Sequence, residues 1–239
     1  MQIAILTPSR ARPERLVRFL NTVHTLSHNK TLIKSYNYVD SDDKFLDKYK
    51  ELISPFKNTK LIIGPPQSVS KSWNVIAKEA IADGADILIM GNDDMQYRTL
   101  GWDQLLEIEV KKFPDKIFCM WFHDLINGEK HCAFPIVSKE WYQILGYFTP
   151  GVFNFGFNDT WIYHIALLIK RAHFIPYILN EHLHFSTGKM QADETTIRAR
   201  KNASFQIDKE IFERTKPQRE DDAKKLITYI KNHQESNII

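Results

Sequence analysis

Short apolar runs and amphipathic stretches alternate along residues 1–186 of this chain, and polar or glycine-proline breaks stop the early runs. Ile3–Leu6 stops at Thr7-Pro8-Ser9, Tyr36–Val39 at Asp40-Ser41-Asp42-Asp43, Leu61–Ile63 at Gly64-Pro65-Pro66, and Asp86–Met90 at Gly91-Asn92-Asp93-Asp94. Ile117–Met120, Ala133–Val137 and Phe174–Leu179 follow. Runs of this length bounded by turn residues predict strands. Between them, apolar residues recur at helical spacing. Leu16, Phe19, Leu20 and Val23 follow Pro13, and Trp73, Ile76, Ala77, Ala80 and Ile81 lie within Ser70–Ala82. Phe45–Leu52, Trp102–Phe113, Ser138–Leu145 and Thr160–Ile169 also predict helices. Strand-helix alternation of this kind predicts an α/β fold with a mainly parallel central sheet and helices on both faces. Asp86–Met90, apolar throughout its last four residues, is placed centrally.

The 239 residues suit one domain with an appended segment. Residues 187–239 are denser in charge and predict a C-terminal helical extension. Its two helices, Asp193–Arg214 and Gln218–Asn232, flank Pro217 and are expected to pack on the body or on a partner subunit. No apolar run reaches the roughly 20 residues that cross a bilayer. Met1–Leu6 lacks the basic start and long apolar stretch of a signal peptide. A cytoplasmic protein without an integral membrane segment is therefore expected, in the host cytoplasm if the chain is phage-encoded. Cys119 and Cys132 are too few for a disulfide framework and are expected as buried thiols. The formal charge of +3 permits a nucleic-acid partner without demanding one.

In open α/β sheets ligands bind at the carboxyl ends of the strands. Three polar segments fall there. In Asn92-Asp93-Asp94, adjacent carboxylates at a strand end repel each other unless a cation is near, which suits a hard divalent metal. In Asp40-Ser41-Asp42-Asp43, a carboxylate can take ribose hydroxyls or a base edge, while another caps the next helix. Around the first loop, Arg10 and Arg12 suit phosphate through their forked donors, and Lys71 offers a further cation. Asp159 opens an apolar helix, as a helix cap or as a general base. His182 and His184 lie two apart after the last strand, on one side if the chain stays extended. Imidazole suits borderline metals such as manganese, with His184 preferred and His182 the alternate.

Together these segments resemble the nucleotide-sugar glycosyltransferases of the GT-A (Rossmann-like) fold, of the family 2 type, including small phage and bacterial members. The resemblance runs from Ile3 to about His184. It implies a transferase domain over residues 1–186 and an extension over 187–239. Pro8, Ser9, Arg10 and Arg12 match the loop under the nucleotide; Asp40 and Asp42 match the base- or ribose-holding segment. Lys71 and Asn74 lie on the helix before the metal strand. Asp93 faces the sugar or ribose, and Asp94 with His184 holds Mn2+ or Mg2+. Asp159 takes the place of the catalytic base. Asn92 and Asn158 depart from the family pattern, where acids stand. The implied reaction moves a hexosyl or pentosyl group from a nucleoside-diphosphate sugar, UDP-linked by family preference, to an acceptor hydroxyl with inversion.

Three readings of the partner stay open. The first is a hydroxymethylated pyrimidine in phage-type DNA. It draws on the basic charge and on aromatics such as Trp121 and Phe155, whose bland alternative is core packing. The second is a saccharide or lipid-linked acceptor. The third is a catalytically weak nucleotide-binding module. The sugar and the oligomeric state are left open.

Overall fold

The structure, a computed structural model, describes residues 1–191, 193, 194, 197 and 204–236. Its strands are β1 (Ile3–Ser9), β2 (Ile33–Asp40), β3 (Thr59–Gly64), β4 (Ile87–Met90), β5 (Met95–Tyr97), β6 (Cys119–His123), β7 (Ile136–Ser138) and β8 (Ala172–His182). Its helices are α1 (Pro13–Thr25), α2 (Leu46–Ile53), α3 (Val69–Ala82), α4 (Trp102–Val110), α5 (Lys139–Leu145), α6 (Asn158–Leu168), α7 (Ser204–Arg214) and α8 (Lys216–Ser236).

The strands form one sheet in the order β3-β2-β1-β4-β7-β6-β8-β5. The β3, β2, β1 and β4 half is parallel, as the alternation predicts. The other half is mixed. β7 runs antiparallel to both β4 and β6, β6 and β8 are parallel, and β5 is antiparallel to β8. The expected mainly parallel sheet is thus corrected to a mixed one with flanking helices. The reason is local: only a short 3-10 turn, Gly128–Lys130, and no crossover helix separates β6 from β7, so β7 returns antiparallel. β4 sits inside the sheet, between β1 and β7.

Alternation along β1 divides the core. Ala4 and Leu6 face Trp73 and Ile76 of α3 and the apolar sides of α5, α6 and α8. Ile3 and Ile5 face Leu16 and Phe19 of α1, Tyr49 of α2, and Trp102 and Leu106 of α4. Both faces of the sheet are therefore covered, as expected. Pro217 stands in the first turn of α8, where its missing N–H costs nothing. Ala223, Leu226 and Ile230 of α8 are buried against the body. Arg219, itself buried, lies with its guanidinium 3.7 Å from the Phe212 ring centroid and 5.0 Å from that of Trp161. The start of the expected helix Asp193–Arg214 falls largely outside the described residues; α7 is described from Ser204. Cys119 and Cys132 are buried free thiols with their sulfurs 3.7 Å apart, as the composition suggests. Among the described residues no helix is long and apolar enough to cross a membrane.

Candidate functional site

β1, β2 and β4 all end at the same edge of the sheet, so the three polar segments converge there. Gly91 makes the convergence close. Its N–H donates to the Leu6 carbonyl at 2.8 Å, and a Cβ at this position would run into the Thr7 hydroxyl. The turn that follows can therefore press against the end of β1. The Asn92 side chain stays local, its Oδ1 accepting the Asp93 N–H at 3.0 Å. Asp93 and Asp94 then point to different partners.

Asp93 is buried. It accepts from Ser9 Oγ at 2.7 Å and from Arg12 Nη1 at 3.1 Å. Burial pushes its carboxyl up to about 6 against the pull of Arg12, and the neighbouring Asp94 charge adds to the push. Ser9 Oγ also shares a hydrogen bond of 2.8 Å with the Tyr49 hydroxyl, which accepts the Arg12 backbone N–H at 2.8 Å. Tyr49 is a hub that spacing alone reveals only as a core position of α2. Between the two arginines, Ala11 adopts a left-handed conformation at φ +56, and Asp43 accepts its N–H at 2.7 Å. Asp43 also accepts the Phe45 N–H at 2.8 Å, but Phe45 is itself the N-cap of α2 and no side chain caps that helix, so the expected aspartate cap is not formed.

Among the described residues each arginine of the loop meets two carboxylates. Arg10 binds Asp40 closely and reaches Asp42 at 2.6 Å. Arg12 binds Asp93 and, through Nε and Nη2, both oxygens of Asp193 at 2.7 and 2.6 Å. Asp193 is a partner from the extension that no local pattern announces.

Asp94 faces the other way, toward the end of β8. The Met95–His182 pairing of β5 with β8 brings them together, and the Leu183 N–H donates to the Asp94 carbonyl at 2.7 Å. His182 Nε2 lies 3.4 Å from Asp94 Oδ1. That oxygen is buried and has no hydrogen-bond partner among the described residues. Burial alone would raise the Asp94 carboxyl, but His182, Arg12 and His184 together hold it below its ordinary value. The His182 and His184 rings are 5.1 Å apart, centroid to centroid. No group of three or more His, Cys, Asp or Glu side chains arranged to hold a metal occurs among the described residues. An ionised carboxylate with an unengaged oxygen beside imidazole is nevertheless a fitting part-set for Mn2+ or Mg2+. Such ions commonly take few protein ligands and complete their shell with substrate phosphates and water.

A cavity of about 530 Å³ opens over this edge. Pro8, Ser9, Arg10, Arg12, Asp40 and Asp93 line it. Its further walls include Tyr38 of β2, Ser68 at the N-cap of α3, the loop residues Asn154 and Phe155, and Ser204 and Ile207 of α7. Lys71 is exposed on the first turn of α3 and stands outside the lining. Asn74 also stands outside it. Its Oδ1 accepts the Phe148 and Thr149 N–H groups at 2.9 and 3.0 Å, and its Nδ2 donates to the Thr149 carbonyl at 2.7 Å. Asp159, at the start of α6, lies 3.0 Å from Nε2 of His131, a residue the sequence does not single out. The hydrogen bond to Asp159 raises the His131 imidazole above its ordinary value, against the effect of burial.

No described protein family matches the sequence, and no curated protein matches it. Solved structures do. S. aureus TarS superposes with a TM-score of 0.61 at 10% identity, over 75% of this chain and 36% of that one. TarS 1-349 in complex with UDP gives 0.60 at 12% identity, over 75% and 60%. The mannosyltransferase PcManGT from Pyrobaculum calidifontis, in complex with GDP-Man and Mn2+, gives 0.57 at 11% identity, over 77% and 57%. The chain spans between about a third and three fifths of these structures. At such identities the likeness concerns architecture: the chain has a GT-A-like fold, with a C-terminal helical extension.

Proposed function

We propose that this chain is a metal-dependent glycosyltransferase that moves a sugar from a nucleoside-diphosphate donor to a hydroxyl of a saccharide or lipid-linked saccharide. One observation carries the reading: on a GT-A-like sheet, the cavity and the half-engaged Asp94–His182 pair share the edge where β1, β2 and β4 end. TarS bound to UDP and PcManGT bound to GDP-Man and Mn2+ make a nucleotide-sugar donor the natural occupant.

In this reading residues 1–186 form the transferase body and 187–239 its extension. Asp40 and Asp42 take ribose or base, while Pro8 and Ser9 shape the floor beneath the nucleotide. Arg10 and Arg12 exchange a carboxylate for donor phosphate. Asp93 keeps Ser9 and Arg12 in place. Asp94 with His182 or His184 would hold a divalent ion, which would supply Lewis-acid stabilisation of a leaving diphosphate. Asp159, paired with His131, takes the proton of the acceptor hydroxyl, which fits single displacement with inversion. Among the described residues, the cations that line the cavity, Arg10 and Arg12, are each bound by two carboxylates. That arrangement suits a small anionic donor competing for them better than a nucleic-acid backbone.

The test is nucleotide release from UDP- and GDP-sugars with Mn2+ or Mg2+, with saccharide acceptors in one arm and hydroxymethylated DNA in another. Metal-dependent release stimulated by a saccharide, and lost in Asp94→Ala and Asp159→Ala, is expected. Stimulation by DNA alone would restore the modified pyrimidine as acceptor. Nucleotide binding without release from any donor would leave only a nucleotide-binding module.

A further inference from the structure

Asp208 on α7 is fully buried, yet it is absent from the chemistry above. Its Oδ1 accepts the Asn154 N–H at 2.9 Å, and its Oδ2 accepts the Phe155 and Gly156 N–H groups at 2.8 and 2.9 Å. Three successive backbone amides aimed at one point form an anion-binding concavity, and here a carboxylate from the extension fills it. Within the same loop, Asn154 and Phe155 line the cavity together with Ser204 and Ile207 of the adjoining α7. The Asn154 carbonyl also accepts the Val69 N–H at 3.3 Å, tying the loop to the first turn of α3. On its other side the loop runs through Phe157, left-handed at φ +62, into Asn158 and Asp159. Asn158 Nδ2 returns to the Phe155 and Gly156 carbonyls, both at 3.3 Å.

From this geometry we infer that Asp208 is a positioning residue for the reaction. Through the amides of 154–156 it sets the cavity wall at Asn154 and Phe155 and the entry of the chain into Asp159. The extension is then a working part of the site. A carboxylate is required, because only an acceptor-only group satisfies three converging donors in the space available. Asn in its place would turn an N–H toward an N–H. The inference rests on the transferase reading for Asp159 and on the cavity as the donor site.

The experiment compares the full-length wild type, Asp208→Asn, Asp208→Ala and Tyr147→Phe. The last is a control that loosens the extension elsewhere: the Tyr147 hydroxyl binds Asp222 of α8 and accepts from Trp161 Nε1 at 3.1 Å. Three quantities are read: UDP affinity by calorimetry, the transfer rate at saturating donor, and hydrogen exchange at the amides of 154–156. Both Asp208 variants are expected to lose protection at those amides, to bind UDP about tenfold more weakly, and to lose about tenfold or more in rate, as small displacements in a site do. Tyr147→Phe is expected to lower the melting temperature and leave affinity and rate within about twofold, the scale of an effect that bypasses the site. Asp208 variants that match Tyr147→Phe in affinity and rate would overturn the inference while leaving the transferase intact. A wild type that binds neither UDP nor GDP would sink the transferase reading and the inference with it. If neither Asp208 variant folds, the wild type decides: protection at 154–156 that rises on adding UDP supports the inference, and unchanged protection overturns it.

Discussion

Arg12 and Asp193 form a two-pronged pair, with Nε and Nη2 of the guanidinium 2.7 and 2.6 Å from the two carboxylate oxygens. The pair joins the first loop of the sheet to the extension across 181 positions of sequence. A carboxylate held this way resembles a phosphate in charge and fork geometry. Donor phosphate and Asp193 therefore compete for one guanidinium. Asp193→Ala is expected to tighten UDP binding by about three- to tenfold, on the order of 1 kcal/mol. Calorimetric titration measures it, and a weaker affinity would show that Asp193 supports binding instead.

Asp94→Asn removes an ionised oxygen beside His182 while keeping the size of the side chain. Metal-stimulated turnover is expected to fall by about a hundredfold, on the scale of losing charge stabilisation of a leaving group. UDP affinity measured in chelator should change little. Equal losses with and without metal would place Asp94 in nucleotide binding.

The pairing of His131 with Asp159 makes a prediction about proton affinity. Its raised value means that the stability it contributes is full below the ordinary imidazole value of about 6.5 and is lost as pH rises through the folded value. In Asp159→Asn, the His131 titration followed by NMR is expected to move down, since burial then acts without the hydrogen bond that outweighs it. A titration that stays in place would remove Asp159 as the cause.

Tyr49→Phe deletes the hydroxyl that joins Ser9 to the Arg12 backbone. A buried N–H left without a partner costs about 1–3 kcal/mol. Urea denaturation should show a loss of that size. UDP affinity should fall as well, because both cavity residues lose an anchor.

Far from the cavity, Glu109 of α4 is buried and accepts from Lys112 at 2.6 Å and, closely, from His173 and Tyr177. Burial pushes it up, but the three donors outweigh burial and hold it at about 2. Its folded value lies below its unfolded one, so its contribution is complete above about pH 4.5 and drains away as pH falls through about 2. Glu109→Gln should lower stability at neutral pH and flatten the acid limb of the unfolding curve. An unchanged acid limb would assign that limb to other carboxylates.

What the sequence discloses of this molecule follows from what is local. β1 to β4 and α1 to α6 are legible, because their apolar residues repeat at the spacing of the element they form. The convergence of Ser9, Arg10, Asp40 and Asp93 is legible for the same reason, since parallel strands deliver their ends to one edge. β5 is hidden: Met95–Tyr97 is three residues long and exists as a strand because β8 accepts it. The antiparallel return of β7 is hidden as well, since periodicity reports which face a residue takes and not which neighbour it pairs with. The partners His131, Asp193 and Asp208 lie 28, 181 and 52 to 54 positions from the groups they bind, and no spacing rule reaches them.

The register that sets Met95 against His182 fixes Asp94 beside an imidazole by counting ladder steps. The chain between those two strands can therefore be lengthened at a surface connection without altering the spacing of the pair. Within the ladder there is no such tolerance. Deleting one residue from β5 would bring the opposite face of β8 into line, as a single-step slip does in any strand. For an engineer, this molecule divides into connections that accept cargo and a three-residue stretch that accepts none.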